Sequence, residues 1–332
     1  MEPVPGFPPQ DWVMVKAKVL ITGGAGNIGG SLARHISSTD RYEVLVVDNL
    51  DTGSMAKLPA REEGFSFIRA DVNRYTDVAP IFASYQPDYV FHYAAVVGVT
   101  RTLKNPMKVL EDIDGLRNVL TLSKGTNVNR VFYSSSSEVY GEPVELPQRE
   151  ETTPLNSRLP YAVVKNLGEI YFRTYQREFG LPYTIFRFFN TYGPLQSEDF
   201  VISKFVSHAL RGEDLTIYGD GKQTRTFCYV DDSVEFQVRC LEQDLFVNET
   251  VNVGSDVEIE IGELAELVRK LVNPECRIVQ LPALTEGDMT RRRPDNSRMV
   301  ATLGRDLIPL EEGIKKTAEF QRSGGQSSAD ES

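Results

Sequence analysis

The sequence predicts an α/β protein with a doubly wound parallel sheet, and two observations support that fold class. Short apolar segments alternate with helix-length segments of mixed polarity from Lys18 onward. Strands that alternate with helices usually pair in parallel, because each connection crosses back over the sheet. The strands are also almost continuously apolar, as in residues 44–47 (Val-Leu-Val-Val), which is typical of a sheet with helices on both faces.

Apolar periodicity and turn residues define the elements of the first 190 residues. Strands are predicted where four to seven apolar or β-branched residues are bounded by turn residues, and helices where apolar residues recur every three or four positions. The predicted order is strand 18–22, helix 27–37, strands 43–48 and 65–70, helix 77–84, strand 89–93, helix 106–124, strand 130–134, helix 161–179 and strand 183–188.

The pattern changes after Gly193 and Pro194. Turns become more frequent, and two isolated helices are predicted at 202–211 and 261–271. We therefore expect four parts. Residues 1–15 form a flexible start, 16–190 the main α/β domain, 191–322 mainly a smaller substrate-binding lobe with some return to the main domain, and 323–332 a disordered tail.

Composition excludes several classes of protein. The 36 basic and 47 acidic residues give a net charge of −11, which is unsuited to nonspecific nucleic-acid binding. Apolar runs are far shorter than the ~20 residues of a membrane-spanning helix. The proline-rich start lacks the basic residues of a signal peptide. The three cysteines have no metal-ligand spacing. We expect a soluble cytoplasmic protein with reduced thiols, no bound metal, and neither nucleic-acid nor membrane partners.

A glycine-rich turn between the first strand and the first helix predicts a dinucleotide site. Gly23, Gly26 and Gly29 allow close approach of the backbone to a pyrophosphate, and the helix that begins at Asn27 and Ile28 directs its N–H groups toward the same charge. A tight turn without a ligand is the simpler alternative.

Two carboxylates follow later strands of the predicted sheet. Asp48 ends the second strand, where a carboxylate accepts hydrogen bonds from an adenosine ribose and repels a 2′-phosphate, so NAD is favoured over NADP. Asp71 and Val72 follow the third strand and are predicted to meet the adenine. For Asp71, capping of a local turn is an equal alternative.

Tyr161 and Lys165 lie four residues apart on one face of a predicted helix. The ammonium favours the ionised phenol, so we expect Tyr161 to act as a base near neutral pH and Lys165 to hold the cofactor ribose as well. This spacing often arises by chance. The four serines at 134–137 strengthen the prediction, because they end a strand that is expected to meet this helix.

The glycine turn, the strand-end serines and the Tyr161/Lys165 pair together resemble the extended short-chain dehydrogenase/reductase superfamily over roughly residues 18–320. The resemblance implies a Rossmann-type sheet, an NAD cofactor and a nucleotide-sugar substrate. It also implies that hydride leaves sugar C4 first, in 4-epimerases, 4,6-dehydratases and decarboxylases alike.

Residues 136–141 (Ser-Ser-Glu-Val-Tyr-Gly) are similar to a stretch of the UDP-glucuronic acid decarboxylases (UDP-xylose synthases). The resemblance implies catalytic roles for Ser136, Ser137 and Glu138. Dehydratases carry an acidic aspartate where this chain has Ser137, and simple 4-epimerases usually lack the glutamate. The alternative for Glu138 is a carboxylate that caps local backbone.

Residues 291–295 (Arg-Arg-Arg-Pro-Asp) resemble another decarboxylase stretch, whose arginine two residues before the proline faces the sugar carboxylate. That position is Arg292, and a guanidinium suits a carboxylate because it makes two parallel hydrogen bonds. Pairing of the three arginines with surface carboxylates or with UDP phosphate is the alternative.

The resemblance extends to the predicted UDP-binding wall and to a dimer. It implies substrate contacts by Asn190, Val201, Lys204, Tyr218, Gln223 and Arg225, and a homodimer formed through helices 105–124 and 161–179. One segment departs from the decarboxylases, because residues 94–100 (Ala-Ala-Val-Val-Gly-Val-Thr) are closer to the epimerases.

The implied reaction is NAD-dependent decarboxylation of UDP-glucuronic acid. Tyr161 takes the 4-hydroxyl proton, Arg292 holds the carboxylate, and Glu138 assists the loss of CO₂, which gives UDP-4-keto-xylose or, after re-reduction, UDP-xylose. Three alternatives remain open: a 4-epimerase, a 4,6-dehydratase and a non-catalytic NAD-dependent sensor.

Overall fold

The structure, a computed structural model, describes residues 16–59, 64–282 and 291–323. The predicted flexible start and all of the predicted tail except Ser323 lie outside the described residues. Thirteen strands are described: β1 Ala17–Thr22, β2 Tyr42–Asp48, β3 Phe65–Arg69, β4 Tyr89–His92, β5 Arg130–Ser136, β6 Tyr183–Phe188, β7 Thr191–Tyr192, β8 Leu215–Tyr218, β9 Thr224–Thr226, β10 Cys228–Tyr229, β11 Glu249–Val253, β12 Glu258–Glu260 and β13 Ile278–Leu281.

The described residues also form ten α-helices: α1 Asn27–Ser37, α2 Tyr75–Tyr85, α3 Val99–Lys104, α4 Pro106–Gly125, α5 Pro160–Phe179, α6 Val201–Arg211, α7 Val230–Glu242, α8 Ile261–Val272, α9 Ser297–Leu303 and α10 Leu310–Arg322. Two short 3₁₀ helices lie at Met55–Lys57 and Ser137–Tyr140. Helix α5 shows why such boundaries can be predicted. Pro160 starts it and Gly180, with φ of 71°, ends it.

Seven strands form one parallel sheet in the order β11-β6-β5-β4-β1-β2-β3. The predicted doubly wound parallel sheet is therefore confirmed. The six strands predicted from the first 190 residues all belong to it. The seventh, β11, comes from the second half of the chain and pairs with β6, with Val251 opposite Phe186.

Each face of the sheet carries its own hydrophobic core, because successive side chains of a strand point to opposite faces. In β1, Val19 and Ile21 join the core under α1, α7 and α9. Leu20 joins the core under α2, α4 and α5. Both faces are thus covered, as the continuous apolar strands indicate.

A third core lies in the second half of the chain, among α6, α8 and α10. Three small strand pairs accompany it: β7 with β10, β8 with β13 and β9 with β12. Helix α7 and strand β11 do not take part, because α7 packs on α1 and β11 extends the main sheet. Sequence periodicity did not identify α7 or β11.

Two features are absent from the described residues. No helix in the ranges 16–59, 64–282 and 291–323 is both long enough and apolar enough to cross a membrane. Over the same ranges, no group of three or more His, Cys, Asp or Glu side chains is arranged to hold a metal ion. The three cysteines, Cys228, Cys240 and Cys276, are buried and unpaired.

Candidate active site

The candidate site lies at the carboxyl edge of the main sheet, where β1, β4 and β5 end side by side. The glycine turn follows β1, residues 94–98 follow β4, and the 3₁₀ helix Ser137–Tyr140 follows β5. Helix α5 packs against both β5 and this 3₁₀ helix. Ligands of open parallel sheets bind outside the carboxyl ends of the strands, and most of the predicted catalytic residues lie here.

The glycine turn has the shape of a pyrophosphate cradle. Gly23 has φ of 69°, and a Cβ there would lie 2.6 Å from Cα of Ala94. A Cβ on Gly29 would lie 2.6 Å from the carbonyl oxygen of Gly23. Gly23 is therefore required for its positive φ and for space, and Gly29 is required for space.

The start of α1 provides the second part of this cradle. Gly26 is its N-cap, no acidic residue lies in its first turn, and no side chain caps it, so its free N–H groups favour an anion. The side chain of Asn27 reaches Thr191, but its buried Oδ1 has no hydrogen-bond partner among the described residues. These residues fit the pyrophosphate of NAD.

Asp48 lies at the end of β2, beside the glycine turn. Its carboxylate accepts hydrogen bonds from the N–H of Ala25 at 3.0 Å and from the N–H of Leu50 at 2.8 Å. The geometry holds a buried carboxylate where an adenosine ribose is expected. Asp71 accepts from the N–H of Asn73 at 3.0 Å, which is the turn-capping role of the alternative, and the carbonyl of the buried Val72 accepts from Asn118.

Lys165 is fixed by the end of β5. Its Nζ donates to the carbonyl oxygen of Ser134 at 2.7 Å and contacts the Ser134 hydroxyl at 3.3 Å. Burial lowers the pKa of Lys165 to about 8, although the carboxylate of Asp112 opposes that effect. The lysine therefore stays largely charged at neutral pH, and it lies 5.7 Å from the ring centre of Tyr161.

The surroundings of Tyr161 favour its protonated form. Burial and the negative charge of Glu138 raise its pKa above the usual value, while a hydrogen bond with Ser136 and the charge of Arg292 act in the opposite direction. Loss of hydration is the largest of these effects, so the protein's own groups favour the protonated phenol, and the action of Tyr161 as a base near neutral pH stays a prediction.

Glu138 and Arg292 form an ion pair beside Tyr161. Nη2 of Arg292 lies 2.8 Å from Oε1 of Glu138, and the two side chains are only 6% and 13% exposed, respectively. The buried Nε of Arg292 has no hydrogen-bond partner among the described residues. A buried guanidinium with an unused N–H is suited to a second anionic group.

The neighbouring Arg291 lies in a different environment. It is half exposed and pairs with Glu258, with Nη2 at 2.6 Å from Oε2. Arg291 therefore takes the surface-pairing alternative, whereas Arg292 does not. The orientation of these side chains could not be read from three consecutive arginines.

The 3₁₀ helix after β5 positions the predicted serines. The hydroxyl of Ser136 caps it by accepting from the N–H of Glu138 at 3.2 Å, and Ser136 also forms the hydrogen bond with Tyr161. Ser137 is buried at its first turn. Of the two serines, Ser136 is the one in contact with the phenol.

The predicted substrate wall lies mainly in the smaller lobe. Asn190 has φ of 28° and donates through Nδ2 to the carbonyl oxygen of Thr226 at 3.0 Å. Arg225, the residue before Thr226, is buried and donates to the carbonyl oxygen of Thr224. These contacts join the loop after β6 to β9.

The other wall residues surround Tyr218, at the end of β8. Nζ of Lys204 lies 5.5 Å from the ring centre of Tyr218, and Nε2 of Gln223 contacts the Tyr218 carbonyl oxygen at 3.4 Å. Lys204 is in the first turn of α6, which begins at Val201, one residue before the predicted start. The structure thus brings together Lys204, Tyr218 and Gln223 as one group.

Sequence analysis missed Asp112, in α4. Its Oδ2 accepts from the N–H of Val96 at 2.8 Å, so it holds the loop after β4. Burial raises the pKa of Asp112 to about 6, although the Val96 hydrogen bond and the charge of Lys165 lower it. The available signal was a carboxylate three residues after the buried Val109, on the face of α4 that points inward.

Known proteins share this fold. A family model described as the NAD dependent epimerase/dehydratase family matches residues 19–254. UDP-glucuronic acid decarboxylase 6 of Arabidopsis thaliana is 36% identical over 307 residues, which cover 90% of this chain and 86% of that protein. The crystal structure of UDP-glucose 4-epimerase from Thermotoga maritima with UDP-glucose has a TM-score of 0.86 and 31% identity, covering 92% of this chain and 99% of that chain.

A second solved structure contains the cofactor. The UDP-glucose 4-epimerase of Thermus thermophilus, in complex with NAD, has a TM-score of 0.84 and 29% identity, and covers 92% of this chain and 99% of that chain. The fold and the cradle define an NAD-dependent α/β enzyme with a Rossmann-type sheet. The chain belongs to the NAD dependent epimerase/dehydratase family, and the predicted extended short-chain dehydrogenase/reductase membership and NAD cofactor are confirmed.

Proposed function

We propose that this protein acts on a UDP-sugar and decarboxylates UDP-glucuronic acid. The observation that carries the proposal is the Arg292–Glu138 pair, which places a buried guanidinium next to Tyr161. The similarity to a relative named UDP-glucuronic acid decarboxylase supports the same conclusion.

The proposed reaction starts at the 4-hydroxyl of the sugar. Bound NAD⁺ supplies the hydride acceptor for C4 and adds a positive charge that favours the ionised phenol of Tyr161. Tyr161 takes the hydroxyl proton, and Ser136 donates a hydrogen bond to the same oxygen. Lys165, charged and anchored on Ser134, stabilises the phenolate and holds a ribose hydroxyl.

Loss of CO₂ follows from the 4-ketone. The bond from C5 to the carboxyl carbon breaks, its electron pair enters the enolate of the ketone, and a proton then adds to C5. Arg292 orients the carboxylate through its unused Nε–H before the bond breaks. Glu138 holds Arg292 in place and, as a carboxylate, disfavours a second negative charge beside it, which promotes transfer of that charge to the enolate oxygen as neutral CO₂ leaves.

Product analysis tests this proposal. The NAD-loaded protein is incubated with UDP-glucuronic acid that carries ¹³C in its carboxyl group, and the products are measured by mass spectrometry. We expect ¹³CO₂ together with a UDP-pentose or UDP-4-keto-pentose. Formation of UDP-galacturonic acid without labelled CO₂ would establish a 4-epimerase instead. Inertness toward UDP-glucuronic acid would reject the decarboxylase, and conversion of UDP-glucose to UDP-galactose by the same protein would then establish a 4-epimerase.

Two tyrosines of α5 provide a matched pair for the chemical step. Tyr161→Phe is expected to lower turnover by about 10²–10⁴-fold, the usual contribution of a positioned proton-transfer group. Tyr175→Phe removes a hydroxyl from the same helix, one that is hydrogen-bonded to the Thr121 hydroxyl, and should leave turnover unchanged. Equal turnover in both variants would disprove the role of Tyr161.

A 4-epimerase is the second candidate. The loop after β4 (residues 94–98) has no polar side chain and therefore no serine, as in the epimerases that the sequence resembles. The similarity to UDP-glucose 4-epimerase structures is consistent with it. A 4,6-dehydratase has less support, because the buried Ser137 has no acidic proton to donate to a leaving hydroxyl.

We also propose that the protein forms a homodimer through α4 and α5. These helices pack side by side and carry exposed apolar side chains: Met107 and Leu110 on α4, and Val163 and Ile170 on α5. A second copy of the same surface would cover them, as expected for a two-fold interface.

A further inference from the structure

The Arg292–Glu138 pair joins two segments that regular secondary structure does little to hold together. Glu138 lies in a one-turn 3₁₀ helix, and Arg292 lies in an irregular segment that the structure describes only from residue 291 onward. Neither residue is held by the backbone hydrogen bonds of a long helix or of the main sheet. The 2.8 Å contact therefore depends on other interactions that fix these two segments relative to each other.

Asn252, in β11, contacts both segments through one amide. Its Oδ1 accepts from the hydroxyl of Tyr140 at 2.8 Å, two residues after Glu138. Its Nδ2 donates to the carbonyl oxygen of Asp295 at 3.3 Å, three residues after Arg292, and to that of Gln148 at 3.0 Å. Asn252 is fully buried, so water does not compete for these bonds.

The segment that carries Arg292 is also paired with Gln148. The N–H of Gln148 donates to the carbonyl oxygen of Arg293 at 2.7 Å, and the N–H of Asp295 donates to the carbonyl oxygen of Gln148 at 2.8 Å. Asn252 donates to the carbonyls of Gln148 and Asp295, one on each side of this short bridge. The amide of Asn252 thus fixes the pairing of Gln148 with residues 293–295 relative to β11.

The Tyr140 end of the connection is anchored in the core. Nη1 of Arg187 donates to the Tyr140 hydroxyl at 2.8 Å, and the same guanidinium pairs with Glu169 of α5, with Nη2 at 2.7 Å from Oε2. Arg187 and Glu169 are both fully buried. A buried network in which each member is hydrogen-bonded is rigid, so this end provides a fixed reference point.

We propose that Asn252 is a positioning residue that keeps Arg292 in register with Glu138. It acts through the Tyr140 hydroxyl on one side and through the backbone carbonyls of Gln148 and Asp295 on the other. Its effect on binding of a sugar carboxylate rests on the proposed function, whereas its effect on the position of Arg292 does not.

The test variant is Asn252→Asp. It keeps the size of the side chain and the acceptor for Tyr140, but it places an oxygen against two carbonyls where Nδ2 now donates. Asn273→Asp is the matched control, because Nδ2 of Asn273 donates to the carbonyl of Ala209 in the smaller lobe. Both variants are studied as the full chain loaded with NADH, which cannot accept the C4 hydride and so allows UDP-glucuronic acid to bind without turnover.

Two measurements are made on each protein. Hydrogen exchange, followed by mass spectrometry, should become at least about tenfold faster at the amides of Gln148 and Asp295 in Asn252→Asp, which corresponds to the loss of one net hydrogen bond. Calorimetry should show about tenfold weaker binding of UDP-glucuronic acid, with binding of UDP changed by less than about twofold. Asn273→Asp should change neither quantity.

Each outcome decides the proposal. Unchanged exchange at Gln148 and Asp295 would overturn it, as would equal weakening of UDP and UDP-glucuronic acid, which indicates general damage. If the wild-type protein binds UDP-glucuronic acid no better than UDP-glucose, the proposed function fails and the exchange result alone decides the positioning role. If Asn252→Asp does not fold, Tyr140→Phe, which removes only the hydroxyl, should give smaller changes in the same direction.

Discussion

Arg291 and Arg292 are adjacent in the chain but lie in opposite environments, and this contrast allows a matched test of single residues. Arg292→Ala removes the buried partner of Glu138 and the proposed carboxylate contact. We expect kcat/KM for UDP-glucuronic acid to fall by about 100-fold, because removing one member of a buried charge pair costs a few kcal/mol.

Arg291→Ala is the control for that prediction. It removes a half-exposed pair with Glu258, and such pairs contribute about 0–1 kcal/mol. Its kcat/KM should therefore stay within about threefold of the wild-type value, as measured by CO₂ release. Equal losses in the two variants would contradict the assignment of Arg292 as the carboxylate ligand.

Asp112 makes a prediction about pH. Its pKa is about 6 in the folded protein against 3.8 in the reference state, so the native state binds this proton more tightly than the unfolded state does. Stability from this group is therefore present below about pH 4 and is lost as the pH rises to 6. An asparagine at this position could still accept the Val96 hydrogen bond without becoming charged.

Asp112→Asn should remove the loss of stability that accompanies ionisation of Asp112. Relative to the wild type, the variant is expected to gain up to about 3 kcal/mol of unfolding free energy between pH 4 and pH 7. Urea unfolding of both proteins at the two pH values measures the gain, and titrating groups that do not interact with Asp112 cancel in the difference. A stability difference that does not change with pH would show that burial does not destabilise the charged form of Asp112.

At the scale of elements, the fit of α5 against β5 fixes the catalytic pair. Gly168 lies in α5 one turn after Lys165, and a Cβ there would lie 2.5 Å from Cζ of Tyr133 in β5. Tyr133 cannot give way freely, because its ring is buried and stacks on Phe172 at 4.8 Å. The close approach of helix and strand therefore depends on glycine.

Gly168→Ala should destabilise the protein by about 1–3 kcal/mol, the usual cost of overpacking, although alanine favours helix formation. Gly125→Ala is the control, since it lies in the last turn of α4 with open space around it. That variant should be unchanged or up to about 1 kcal/mol more stable. Urea unfolding distinguishes the two, and a stabilised Gly168→Ala would refute the packing argument.

At the scale of the whole molecule, α4 and α5 leave an apolar surface uncovered. Ile170→Glu places a charge within this surface, so the proposed homodimer should dissociate. Light scattering after gel filtration should then show one 37.2 kDa chain in place of two. Val257→Glu, at a position that is 69% exposed outside these helices, is the control, and a monomeric wild type would exclude the dimer.

Much of the fold and the cofactor cradle was predictable because both depend on local sequence. The strands β1 to β6 show as apolar segments, and α1, α4 and α5 were predicted within a residue or two of their bounds. The glycine turn was predictable for the same reason, since conformation and space at Gly23 and Gly29 are properties of a few neighbouring residues.

The sequence by itself thus determined the parallel sheet, the family and the NAD cofactor. Only the tertiary structure decided which of three consecutive arginines is buried against Glu138, that β11 joins the main sheet, and that burial raises the pKa of Tyr161. The physical reason is that charge pairing, strand order and loss of hydration depend on residues distant in the chain, whose distances are set by the packed fold rather than by local propensity.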